Sequence, residues 1–132
     1  MSQRRLHKRY FSVAEAMQTL HMFHPMIDEM VRLTKSLLTA GYNIFSHKYF
    51  GGTSLNSAQK HPRELTKLVE ILMKLDSAGI LVNGLEEGLV DFPHIRKNGE
   101  EVHLCFKAGE ETIKFWHVAE DGFAGRKPLD KL

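Results

Sequence analysis

At Gly79 the hydrophobic pattern of this chain changes period, and that change constrains the fold more than any other feature of the sequence. Before it, Val13, Met17, Leu20, Phe23, Ile27, Met30, Val31, Leu37 and Leu38 recur at helical spacing in a heptad-like stripe. Thr34 is the one polar position on that seam. After Gly79, the stretches EVHLCF at 101–106 and TIKFWH at 112–117 alternate residue by residue, as half-buried strands do. A helical half followed by a β half reads as α+β: a long antiparallel helical hairpin packed with a small antiparallel three- to four-stranded sheet. At 132 residues the chain suits one domain. The expected layout is a basic, disordered tail over 1–10 and a single domain over 11–132. That domain divides into the hairpin at 11–79, the sheet at 80–121 and a C-terminal tail at 122–132.

Local signals refine this plan. Ser12 and Glu15 form an S-x-x-E capping box, with Phe11 placed to staple the first turn. The first helix is expected to reach about Thr39, with Gly41 ending it and Pro25 kinking or breaking it. At ~1.5 Å per residue it would be ~40 Å long, more than one small core covers. Pro62 opens the second helix, Leu65, Leu68, Val69, Leu72 and Leu75 make its stripe, and Ala78-Gly79 stops it. Between the helices, Tyr42, Ile44, Phe45, Tyr49 and Phe50 suggest a helix or compact loop, followed by an irregular segment from Gly51 to about Lys60. In the β half, Ile80-Leu81-Val82 and the run at 89–92 are short strands, and Asn98-Gly99 and Ala108-Gly109 are turns.

Alternation assigns the faces. Val90, Phe92, Val102, Leu104, Phe106, Ile113 and Phe115 are expected to face the helices, with His117 at the end of that row. Asp91, His103, Cys105, Lys107, Lys114 and Trp116 fall on the other face. An acid, a thiol and a large aromatic on an outer face suggest a cleft or an interface.

Composition narrows the classes of function. No apolar run reaches membrane-spanning length, and no apolar segment follows the charged start in the manner of a secretory signal. A single cysteine precludes an internal disulfide and suits a cytoplasmic protein. The net charge of +2 hides a division. Arg4, Arg5, Lys8 and Arg9 stand at the start without an acid, while residues 86–121 hold nine acids against four bases. Nucleic acid is therefore expected to meet this chain, if at all, through residues 4–9.

The motifs GLVDFP at 88–93, EVHLCF at 101–106, GEETI at 109–113, FWH at 115–117 and GFAGRKP at 122–128, with FSVAEA at 11–16, resemble a bacterial family known as domain of unknown function 2203. The resemblance extends over nearly the whole chain from Phe11. It implies a helical hairpin and a small antiparallel sheet, and it brings no activity. The family commonly carries Lys-Asp where Asn83-Gly84 stands, and Trp where Phe106 stands.

Carried over onto this sequence, the polar residues of those motifs are Asp91, Cys105, Glu110, His117 and Arg126. Asp91, Glu110 and His117 are the acid–base candidates, and Cys105 is a candidate nucleophile. His103, two residues from Cys105 on the same strand, is ~7 Å away, too far for direct contact. Trp116 and Arg126 are the ligand-binding candidates. No cofactor is expected, and no metal. The weak metal-ligand candidates are His117 and the pair His21 and His24, which share a helix face at i, i+3. Strand parity separates Asp91 from His117 unless a bulge intervenes. Each candidate also has a structural reading: Asp91 paired with a lysine across strands, Glu110 in a turn, Arg126 tying the tail to a carboxylate. The expectation is thus a non-enzymatic module for assembly or protein interaction, dimeric through its hairpin. The alternatives are a small-molecule- or metal-binding protein or enzyme with a site on the sheet around Asp91, Glu110, His117 and Arg126, and RNA or ribosome association through the basic tail.

Overall fold

The computed structural model describes residues 7–44 and 62–132. Helix α1 spans Val13–Thr39 and α2 spans Arg63–Ser77. Strands β1 (Leu81–Gly84), β2 (Leu89–Ile95), β3 (Glu101–Lys107), β4 (Phe115–Val118) and β5 (Lys127–Pro128) form one antiparallel sheet in sequence order. The segment between the helices that sequence reads as compact and then irregular lies, over residues 45–61, outside the described residues, as do Arg4 and Arg5.

The capping box forms in full. Ser12 Oγ accepts from the amide of Glu15 at 3.0 Å, and the Glu15 carboxylate accepts from the amide of Ser12 at 2.8 Å. Helix α1 then continues through Pro25 without a break. Both helices end alike. Gly41 (φ +82°) and Gly79 (φ +86°) take up the left-handed conformation beyond the last turn. Their amides and those of Tyr42 and Ile80 close on the last carbonyls in the Schellman pattern. The second closure turns the chain directly into the sheet.

Helix α1 finds its cover within the chain. Ala16, Leu20, Ile27, Met30, Leu33 and Leu37 share one buried cluster with Leu65, Leu68 and Leu75 of α2 and with Val90, Phe92, Val102, Leu104 and Phe106 of the sheet. The Phe11 ring meets Phe92 edge-on at 5.2 Å, and burying each such ring stabilises the fold by about 2–3 kcal/mol. Residues 7–10, expected as part of a free tail, lie on the body instead. Tyr10 donates to Glu101 at 2.5 Å, Arg9 to the Ala78 carbonyl at 3.1 Å, and Lys8 pairs with Asp76 at 3.3 Å.

The sheet departs from expectation in two ways. It has five strands rather than three or four, because Lys127-Pro128 returns to pair with β4. A two-residue strand leaves no alternation to read. The run at 112–117 also becomes a strand only from Phe115. Its register sets Trp116 opposite Leu104 and His117 opposite His103. Directly opposed residues share a face, so the assignments along β4 exchange, and Phe115, expected toward the helices, lies opposite Cys105 on the outer face. Trp116 joins the core, its indole N–H donating to the Pro128 carbonyl at 3.0 Å, and His117 joins the face of Asp91 and Cys105. Sequence alternation gives parity within a strand; only pairing relates one strand to the next. No described helix is long and apolar enough to cross a membrane.

Candidate metal centre

Three strands bring the site together. Asp91 of β2 lies opposite Cys105 of β3, and His103, two residues back along β3, lies opposite His117 of β4. All four side chains therefore crowd one patch of the sheet face away from the helices. Asp91 and Cys105 are 1% exposed, His117 2% and His103 7%.

The carboxylate oxygen Oδ2 of Asp91 is the hub. It meets His117 Nε2 at 3.0 Å and His103 Nδ1 at 3.1 Å, and it also accepts from the Asn83 amide of β1. Sequence parity set Asp91 and His117 on opposite faces; the register of β4 places them in contact without a bulge between them. Burial pushes the Asp91 carboxyl up, but the hydrogen bonds and charges of His103 and His117 outweigh it and hold the group below the usual range. Burial pulls His117 down, yet Asp91, Cys105 and the Val118 carbonyl push it up to about 10.

The protons on the imidazoles follow from their partners. His117 Nδ1 lies 2.7 Å from the Val118 carbonyl, which only accepts, so Nδ1 carries a hydrogen. Nε2, turned to Asp91, is then either a second N–H, in an imidazolium, or a bare lone pair. His103 Nδ1 faces a carboxylate and carries a hydrogen for the same reason; its Nε2 is buried without a partner. One ligand atom each from Asp91, Cys105 and His117 lie within 4.8 Å of one another. Tetrahedral ligation at about 2.0–2.3 Å would set such atoms about 3.3–3.7 Å apart, so shifts of about an ångström close the cage. Among the described residues this is the one group of three or more such ligands.

The other candidates fall elsewhere. Arg126 pairs with Glu110 at 2.7 Å, stacks on Phe115 and Phe123, and reaches the backbone carbonyl of Cys105 at 3.4 Å. Burial raises the Glu110 carboxyl, but Arg126 and the Lys107 amide more than offset it and leave it lowered. This pair clamps the C-terminal segment against the strand that carries Cys105. Of the two helical histidines, His24 pairs with Asp28 at 3.3 Å and sets its ring 5.5 Å from Phe106, and His21 is exposed. Sequence reasoning placed His103 on the correct face but weighed it only against Cys105, two positions along its own strand. Its partner is across the sheet. Asn83 was not among the candidates, because the pairing of β1 with β2 that sets it beside Asp91 is not visible in the sequence.

The fold and site define an α+β protein that buries an Asp/Cys/His cluster beneath the outer face of its sheet. The chain belongs to the family of uncharacterized conserved proteins DUF2203, whose model matches residues 9–129. No curated protein and no solved structure matches it.

Proposed function

We propose that this is a metal-binding protein whose centre, formed by Asp91, Cys105 and His117, takes a divalent ion of the zinc class. One observation carries the reading: the hydrogen bond from His117 Nδ1 to the Val118 carbonyl. A metal-ligating histidine characteristically donates its other ring N–H to a carbonyl or carboxylate, which fixes the tautomer and aims the remaining lone pair. Here that lone pair is aimed where Asp91 and Cys105 supply a carboxylate and a thiolate, whose two charges balance those of the ion. His103 holds the Asp91 carboxylate in place, as an outer-shell donor does.

The same bond speaks against a nucleophilic Cys-His-Asp arrangement. In such a triad the two ring nitrogens divide the work, one toward the acid and one toward the thiol. His117 has spent Nδ1 on the backbone, and Cys105 is 1% exposed, closed to a substrate carbonyl. The reading as a dimeric assembly module rests on the long apolar face of helix α1. Leu20, Ile27, Met30 and Leu37 of that face are buried, and the support for that reading rests on Val13, Met17, Phe23, Val31 and Leu38, which are only partly buried, and on the exposed Met22 and Met73. Of the basic residues at the start, Lys8 and Arg9 engage the body.

Calorimetric titration of chelator-treated protein with Zn2+ tests the proposal. One equivalent is expected to bind the wild type, with loss of at least about 100-fold in affinity in Cys105→Ser and in His117→Gln. Wild type and both variants binding alike, or none binding, would refute it.

A further inference from the structure

We infer that Asn83 is the fourth ligand of this centre, an inference that rests on the metal reading and extends it. Three protein ligands leave a tetrahedral ion one position short. A further oxygen donor in contact with the cluster lies on β1. Leu81 pairs with Asp91 and Val82 with Val90, but the register then slips, so that Gly84 rather than Asn83 faces Leu89. Asn83, two residues along β1 from Leu81, shares the face of Asp91 by alternation, at a point where the register is irregular and leaves it without a strand partner. Its amide is turned onto Asp91 Oδ2, the same oxygen that meets His117 Nε2. Asn83 thus sits one contact from two of the three ligands.

Its position relative to solvent is the second observation. Asn83 is exposed, whereas Asp91 is 1% exposed. With Val82, Gly84, Glu86 and Glu87 it lines an open groove of about 490 Å³. The groove brings acidic side chains, which attract a cation, up to the one exposed residue that touches Oδ2. Chemistry supplies the switch. Against a bare carboxylate the amide presents its N–H; against a cation a half-turn about the terminal side-chain bond presents its carbonyl oxygen. The same side chain therefore fits both the empty and the filled centre.

Cobalt(II) spectroscopy on the 132-residue chain tests this, because thiolate-to-cobalt charge transfer reports directly on the ligands. The wild type should show the band of one thiolate. In Asn83→Cys a second thiolate should raise it about twofold, and Asn83→Leu should weaken Co2+ binding at least about tenfold. If the wild type binds Co2+ with one thiolate and Asn83→Cys leaves the band unchanged, Asn83 is not a ligand and the three-residue centre stands. If the wild type gives no thiolate band, the metal reading itself fails and the fourth ligand falls with it. Asn83 is exposed on an edge strand, so both variants should fold, and circular dichroism checks that they do.

Discussion

His117 concentrates the chemistry of the site in one imidazole. Its Nδ1 is fixed by a backbone carbonyl, and its Nε2 either holds a proton against Asp91 or holds a metal. The two compete. In metal-free protein the proton is held tightly, since the pKa is pushed up to about 10. Zinc uptake at neutral pH must therefore expel the His117 proton, and the apparent affinity should rise about tenfold per pH unit from that proton alone. Titrations in buffers of different ionisation enthalpy will measure the release; a pH-independent affinity would contradict it. The sign for folding is the reverse. A raised pKa stabilises the metal-free fold fully below the unfolded value near 6.5, and the contribution is lost as pH climbs toward about 10. Asp91, lowered, contributes above its unfolded value near 3.8 and loses that contribution as pH falls through its folded value. Metal-free wild type should thus lose stability in denaturant melts between pH 6.5 and 10, and Asp91→Asn should flatten that slope.

At the scale of elements, the site depends on how β2 is delivered to β3. Gly88 begins that delivery, at φ +66°, and a Cβ there would stand 2.5 Å from Ala108 Cβ and 2.9 Å from Val31 Cγ2. Gly99, in the β2–β3 turn, has φ +88° and nothing within 4 Å. Backbone strain is common to both; collision belongs to Gly88 alone. Gly99→Ala should cost about 1 kcal/mol, and Gly88→Ala at least about 1 kcal/mol more. Urea melts will read the difference, and equal costs would show that α1 and β3 yield freely at Val31 and Ala108. The helices were legible in sequence almost to the residue, since capping box, stripe and terminal glycine act within a few positions of one another. The strands were legible as stretches but not as pairs. TIKFWH alternates cleanly, and nothing in it states that pairing begins at Phe115 with Trp116 turned to the core.

For the whole molecule, the proposed metal centre would work as a staple across the sheet. Asn83, Asp91, Cys105 and His117 come from β1, β2, β3 and β4, so a bound ion would tie four strands that backbone hydrogen bonds alone join in pairs. Ligand linkage then gives the size of the effect: at 100-fold excess over Kd the fold gains about 2.7 kcal/mol, or a rise of about 10 °C in Tm. Differential scanning calorimetry with and without Zn2+ measures this. No rise in the wild type, or an equal rise in Cys105→Ser, would remove the staple.

By itself the sequence determined the class of fold, the helix limits, the turns and the residue types from which a site would be made, because each depends on neighbours within a turn or a strand. It named Asp91, Cys105 and His117 among its candidates. It also counted Asp91 and His117 as residues on opposite faces. Only the tertiary structure decided that they touch, because the face a strand presents to its neighbour is set by register, and register is fixed by packing across the sheet. The same packing paired β1 with β2 so that Asn83 meets Asp91, a pairing with no mark in the local sequence.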